Sequence, residues 1–352
     1  MAPIDAIKEA NIFDKTLKVS AKDIGRLKSR YLEPINYSKD ILFHSMLHGK
    51  TVVFNNYPLT ENDTDGPDKT VATLKKLRDN LNQKERIYIR YGAKRTLKKV
   101  TIKEVIERWT RQRSKFGVTD LHFRDTAYFK KVDANAISYF NLLPSFADEV
   151  SFLEMLTLVI SSKGIFSDSH SDDGDGSNHC ILGKKLWFAW DKEEGALRGL
   201  QDCTHDYVYS QAKFSIEKFL SLKSSHWFIV SEGKTLFMPG NFTHKVITLE
   251  PYIGFGSFYL SFPNYINSLK RWILKYSTDV NEAFIQNLNK EFINYLEKNI
   301  SNQSTKDKES IGFSHFVESF HKWKKGLSKE EQIRFKEKAN LDEIEDCLKS
   351  IG

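Results

Sequence analysis

The sequence predicts an α+β chain in which an antiparallel β barrel or sandwich is flanked by helical segments. Three observations predict it. From about residue 149 to 262, apolar segments of strand length recur (FLEMLTLVI, LWFAW, HWFIV, KTLFMPG, YIGFGSFYLSF) between Gly, Asp, Asn and Ser clusters. Residues 1–40 carry helix signals instead, and beyond Pro263 the strand signals stop while apolar residues return at helical spacing. The chain therefore divides into an N-terminal helical segment (1–40), a strand-rich domain (41–262) and a C-terminal helical region (263–352).

In order along the chain, SAKDIGRLKSRYLEP offers a serine cap, a basic amphipathic turn and a proline stop. GKTVVFNNYPLT is a short β-branched run between turn residues. RIYIRYGAKRTLKKVTIKEVIERW reads as strand, turn, strand and then a helix started by Thr101. Past the barrel, SLKRWILKYSTDVNEAFIQNLNKEFINYLEKNI is helical, SNQSTKDKES is a polar break, and SHFVESFHKWKKGL follows. SKEEQIRFKEKANLDEIEDCLKS closes the chain with a serine cap and acids in its first turn.

At 352 residues, with 40% hydrophobic, 13% aromatic and 28% charged residues, the composition is that of a globular protein and excludes a disordered, collagen-like or disulfide-scaffold chain. No apolar run is long enough for a membrane helix, and MAPIDAIKEANIFDK mixes acids and bases where a signal peptide is apolar. The expectation is an intracellular protein, cytoplasmic or nuclear, without a membrane partner. Three widely spaced cysteines, Cys180, Cys203 and Cys347, suit free thiols in a reducing compartment. A net charge of +7 admits nucleic acid as a partner without requiring it. The basic stretches KKLRDNLNQKER and HKWKKGL read as solvated helix faces, and the periodicity of the C-terminal helices fits either a homodimer surface or a brace for the barrel.

The chemistry concentrates in FSDSHSDDGDGSNHCILGKKLWFAW and FMPGNFTHKV. Residues i and i+2 of a strand point to one side, so His170 and Asp172 present an imidazole and a carboxylate to one point. His244, just after the turn-forming Pro239-Gly240-Asn241, can be returned to that point by a neighbouring strand. Two histidines and one carboxylate with three positions left open make the facial triad of non-haem Fe(II) oxygenases. Such a site also needs a cation for the far carboxylate of 2-oxoglutarate; Lys185 is placed for it, and Ser167 adds a hydroxyl. Asp172, Asp173 and Asp175 lack the closing glutamate of a calcium loop, and His179, Cys180, Cys203 and His205 lack zinc-finger spacing.

These motifs resemble those of the JmjC-domain, cupin-type Fe(II)/2-oxoglutarate oxygenases, in the branch of protein hydroxylases and methyl-lysine demethylases. FSDSHSD resembles the family's aromatic-Thr/Ser-x-x-His-x-Asp segment, GKKLWFAW its Gly-x-Lys strand, and SEGKTLFMPGNFTHKV the stretch that ends on its distal histidine. The resemblance covers 41–262, with specific motifs from about 165 to 245. It implies a double-stranded β-helix, or jelly roll, over about 149–262. It also implies Fe(II) on His170, Asp172 and His244, and 2-oxoglutarate on Lys185, rather than Lys184, and on Ser167, with O2 as co-substrate. Where the family carries an aromatic run, often with a tyrosine on 2-oxoglutarate, this chain has DGDGSNHCIL, and Asn178 or His179 takes that place.

The expected reaction is hydroxylation of a substrate side chain, with succinate and CO2 as co-products. A protein or peptide is favoured over a small molecule, and a basic polypeptide in particular because the acidic loop lies beside the metal. Demethylation of methyl-lysine by the same chemistry is the alternative, and a non-catalytic cupin-like interaction scaffold is the rival from another class.

Overall fold

The computed structural model describes residues 3–58, 69–91, 96–112, 115–122, 157–172, 174–200, 214–240, 242–259, 262–269, 282–330, 332–333, 335 and 340–352. It begins with three helices, α1 (Pro3–Phe13), α2 (Ala21–Lys28) and α3 (Lys39–Leu47). The cap read at Ser20 is a reciprocal one: Ser20 Oγ accepts from the Asp23 N–H, and the Asp23 carboxylate accepts from the Ser20 N–H. Strand β1 (Val52–Phe54) and helix α4 (Lys69–Asn80) lead to the hairpin β2 (Arg86–Tyr91) and β3 (Thr96–Thr101) and to α5 (Ile102–Arg111). Thr101 and Glu104 form a second capping box, and Ile102, Val105, Ile106 and Trp109 bury the inner face of α5.

The strand-rich centre follows as β4 (Phe116–His122), β5 (Thr157–Ser161), β6 (Phe166–Ser171) and β7 (Asp175–Asp191). Short helices α6 (Lys192–Leu197) and α7 (Ile216–Ser221) precede β8 (His226–Ser231), β9 (Thr235–Met238) and β10 (Phe242–Tyr259). All ten strands join one antiparallel sheet built on a ladder between β7 and β10, which runs from Asp191↔Phe242 to Asp175↔Tyr259. Both long strands change their outer partner midway. β10 pairs with β6 over Thr243–Ile247 and then with β5 over Tyr252–Gly256; β7 pairs with β9 over Gly176–His179 and then with β8 over Lys184–Ala189. The centre thus holds two four-stranded sets that share β7 and β10. Strand β1 extends the sheet beyond β9, and β4, β2 and β3 extend it beyond β5.

The changeover falls at Gly183, whose φ of +88° only glycine adopts readily; a Cβ there would lie 2.0 Å from the Pro251 carbonyl oxygen. Opposite it the β10 register is irregular between Thr248 and Gly254.

Along LWFAW the structure buries both faces of the strand. Leu186, Phe188 and Trp190 pack with Ile247 and Leu249 under α1, α2 and α7, while Trp187 and Ala189 join Val246, Phe228, Val230 and Tyr252 inside. The strand that carries His244 is clamped from its helix-covered side: Lys245 Nζ lies 2.7 Å from Asp14 Oδ2 and 4.7 Å from the Phe166 ring centre, with both charged side chains at most 3% exposed.

The C-terminal region has its own core, formed around Phe292, Phe316 and Leu348. It contains α8 (Glu282–Tyr295), prolonged by a π-helical turn over Leu296–Ile300, then α9 (Thr305–Ser310), α10 (Phe313–Gly326) and α11 (Leu341–Ile351). The closing segment read as one serine-capped stretch is divided, because Asn340 at φ 44° starts α11 as a separate helix. HKWKKGL is not wholly a solvated face, since Lys324 bridges Asp342 at 2.7 Å and also Glu345. Cys180 and Cys347 are buried and form no disulfide, and Cys203 lies outside the described residues. Among the described residues no helix is long and apolar enough to cross a membrane.

Two outcomes follow from the clamp. Lys245→Ala leaves the Asp14 carboxylate buried and unpaired and is expected to cost about 3–5 kcal/mol in urea unfolding, with Asp14→Leu/Lys245→Met recovering most of it. Burial alone would raise the Asp14 pKa, but the Lys245 ammonium and the Thr16 hydrogen bonds hold it below the ordinary carboxylate value. The pair's contribution is therefore full above the unfolded value of about 4 and lost as pH falls through the lowered folded value. Acid unfolding of the parent, and not of the double variant, should show this loss.

Candidate metal centre

Strand pairing assembles the site from the residues upward. His170 near the end of β6 and His244 near the start of β10 are direct cross-strand partners, so both rings rise from the same face. Their ring centres are 4.3 Å apart. Asp172 follows β6 immediately and brings Oδ2 to 3.6 Å from His244 Nε2 and Oδ1 to 4.0 Å from His170 Nε2. One ligand atom from each of the three residues lies within 4.8 Å of the other two, and this group can hold a metal ion.

The His170 tautomer suits that task. Its Nδ1 is 2.8 Å from the Asp168 carbonyl oxygen, which only accepts, so Nδ1 carries the proton and the Nε2 lone pair faces Asp172. Exposure is graded across the group, at 2% for the His244 side chain, 25% for Asp172 and 38% for His170. One flank is walled by the protein and the other is open.

A bulge decides which further residues share this face. Between His244 and Val246, β10 advances two residues while β6 advances three, from His170 to Ser167. The extra residue turns Ser167 to the side of His170, and its Oγ accepts the Val246 N–H at 3.3 Å. On β7, Ala189 is the partner of His244, and Trp187 and Lys185 follow on the same face. Lys185 stands opposite Thr248, four residues from His244 and about 13 Å along the strand.

Lys185 is the electrostatic oddity of the site. It is 7% exposed, and no carboxylate pairs with it among the described residues. Its Nζ instead sits 4.3 Å from the centre of the Tyr252 ring. Burial pushes its pKa down to about 7, opposed weakly by Cys180. Neighbouring Lys184 turns to the other face and bridges Glu250 at 2.5 Å. Of the two lysines, only Lys185 is placed inside.

Asn178, on the first half of β7, accepts the Tyr252 O–H through its Oδ1. Burial raises the Tyr252 pKa well above the ordinary phenol value, so the ring remains a donor. His179 is engaged by Thr235 through Nδ1 at 2.8 Å. The zinc set that would have used it loses its test, because Cys203 and His205 lie outside the described residues.

The acidic loop needs correction in part. Asp175 is fully buried, and its Oδ1 accepts from the Gly240 N–H at 3.0 Å and from Asn264 Nδ2. It ties the loop to the turn before β10 instead of lining an acidic mouth; Asp173 lies outside the described residues.

Three residues that sequence reasoning did not single out for the site belong to its surroundings. Tyr252 supports Lys185 and Asn178 together. Trp187 packs its ring 5.2 Å from that of His244. His226, the β8 partner of Ala189, lies in the same cross-strand row as His244 and His170. It donates Nδ1–H to the Ser224 carbonyl at 2.9 Å, and its buried Nε2 has no hydrogen-bond partner among the described residues. Burial lowers its pKa, opposed by that carbonyl. The alternation of HWFIV and YIGFGSFY was the available signal, but alternation does not say which strands lie side by side.

The group should bind one divalent ion per chain in equilibrium dialysis. His170→Ala, Asp172→Ala and His244→Ala should each weaken that binding by well over tenfold, since each removes a ligand and not merely a supporting hydrogen bond. No family model and no curated protein matches the chain, so the reading of this centre stands on the geometry of its own residues.

Proposed function

We propose that the chain is an Fe(II)- and 2-oxoglutarate-dependent dioxygenase of the JmjC-like, cupin type, with His170, Asp172 and His244 as the iron ligands. Two imidazoles and one carboxylate on one face, with one flank open, favour Fe(II) over ions that prefer an all-oxygen or all-sulfur set. The two four-stranded sets sharing β7 and β10 support a jelly-roll reading of the core. The observation that carries the co-substrate is Lys185: a buried ammonium with no carboxylate partner among the described residues is costly unless an anion arrives to pair with it.

Iron bound there would supply dioxygen activation, coupled to decarboxylation of 2-oxoglutarate to succinate and CO2. The protein's own residues do the positioning. Lys185 holds the far carboxylate of the co-substrate, and Tyr252 and Asn178 keep the lysine over the ring. Ser167 Oγ already accepts from Val246, which leaves its own O–H to donate to that carboxylate. Trp187 and Val246 keep water from the walled flank of His244.

The proposed outcome is hydroxylation of a polypeptide side chain, with an Arg- or Lys-bearing segment as the favoured substrate. That preference rests on the sequence, in which Asp173 follows the ligand Asp172, since Asp172 is committed to the metal and Asp175 to the Gly240 turn.

The decisive experiment is anaerobic loading with Fe(II) and 2-oxoglutarate, then succinate release in air with basic and neutral peptides. The parent should turn over, more with basic peptides, whereas His170→Ala and Lys185→Ala should not; formaldehyde release would move the assignment to demethylation. An iron-free parent that forms no succinate would leave an interaction scaffold as the better reading.

Lys185 also sets a pH dependence. Its folded pKa is about 7 against about 10.4 unfolded, so the folded state binds fewer protons between these values and stability rises with pH across that window. A bound carboxylate favours the ammonium, so calorimetry above pH 7 should show proton uptake and an affinity that falls up to about tenfold per pH unit. Lys185→Met should stabilise the free protein at pH 7 by at least about 1 kcal/mol while removing 2-oxoglutarate binding.

A further inference from the structure

The outer face of the β2–β3 hairpin carries a surface that the centre above does not use. Strand β3 ends the sheet, and β2 lies between it and β4. Side chains alternate along both strands, so Ile89 and Val100 enter the core with Leu74 and Leu77 of α4 and Val105 and Ile106 of α5. The other set comes out together. The register pairs Arg86 with Thr101, Tyr88 with Lys99 and Arg90 with Leu97, which puts these six residues on one outward face.

Their chemistry is uneven. Tyr88 is 63% exposed and Leu97, its diagonal neighbour across the strands, is 56% exposed. Arg86 and Lys99 are exposed and Arg90 is half-buried. Three of the six residues are therefore cations and none is an acid. Glu104 reaches the Thr101 end, but its carboxylate accepts from the Thr101 N–H and hydroxyl. Arg86 and Arg90 lie two residues to either side of Tyr88, about 7 Å along the strand in each direction. Across the pair, Lys99 Nζ stands 5.5 Å from the centre of the Tyr88 ring. Lysines on a terminal strand discourage pairing with another sheet, which accounts for Lys98 and Lys99. It does not account for an exposed ring between two arginines on β2, a strand paired on both sides.

We propose that this face binds single-stranded nucleic acid, with a base stacked on Tyr88 beside Leu97 and the neighbouring phosphates on Arg86, Arg90 and Lys99. Charge complementarity favours an anionic partner, in keeping with the net charge of +7, and the ring selects among anions. Every unpaired base presents a face that can stack on tyrosine, whereas an acidic peptide supplies only carboxylates and a duplex keeps its bases stacked on one another. An anionic membrane would call for a broader apolar face than one tyrosine and one leucine. Contacts to a ring and to phosphates carry little sequence information, so binding is tolerant of sequence. The proposal does not rest on the oxygenase reading.

The test is fluorescence anisotropy of a labelled oligothymidylate titrated with the full-length chain between 50 and 200 mM salt. Three neutralised phosphates give log K a slope of about −2 against log salt. Tyr88→Ala should weaken binding at least about fivefold, and Tyr88→Phe, which keeps the ring, should bind like the parent. Arg86→Ala/Lys99→Ala should weaken binding and flatten the slope by about 1.4, whereas Lys22→Ala/Lys28→Ala, an equal loss of charge on α2, should leave both unchanged. The substituted side chains are all exposed, so the variants should remain folded, which the thermal unfolding midpoint checks. No binding at 50 mM salt, parent-like binding by Tyr88→Ala, or equal losses from the two double variants overturns the proposal. So does binding of polyglutamate, duplex DNA or phosphatidylserine vesicles as tight as that of the oligothymidylate.

Discussion

The β7–β10 ladder is the constraint on which the rest of the structure depends. Because side chains alternate with a period of two, a slip of one residue between these strands would send His244 and Lys185 to opposite faces. The observed register places them on one face, with Ala189 beside His244 and Thr248 beside Lys185. The close approach of Gly183 to the Pro251 carbonyl marks where the ladder bends and both strands exchange outer partners. That exchange delivers β6, with His170, to one half of β10 and leaves β5 on the other.

Around the ladder, two buried faces divide the work. The face under α1, α2 and α7 is largely apolar and includes the buried Lys245–Asp14 pair, which ties the residue after α1 to the residue next to His244. The opposite face is apolar too, but it is interrupted by polar groups at two levels: the His170–Asp172–His244 group at one end and Lys185 with Tyr252 and Asn178 further along β7. The group at the first level can hold a metal ion, and in the proposed function Lys185 at the second pairs with the far carboxylate of the co-substrate.

Much of this was legible in the sequence for local reasons. Ser20 and Thr101 were readable as helix caps because a cap is satisfied within three residues of itself. The strand segments showed in their composition and alternation. His170 and Asp172 were readable as a pair because their spacing is a property of one short segment. The choice of Lys185 over Lys184 came from resemblance; in the structure Lys185 is buried with no carboxylate partner among the described residues, and Lys184 is paired with Glu250.

The rest was decided only by tertiary structure. Tyr252 beneath Lys185, His226 in the row of His244, Asp175 turned into the Gly240 turn, and His315 beside His48 all join residues far apart in the chain. Periodicity states which side of its own strand or helix a residue occupies, and it carries no information on which element will be the neighbour. The sequence by itself determined the caps, the strand segments and the ligand types. The partner exchange along β7 and β10 decided which of those ligands meet, because non-local pairing depends on the summed burial of the whole sheet and not on any one segment.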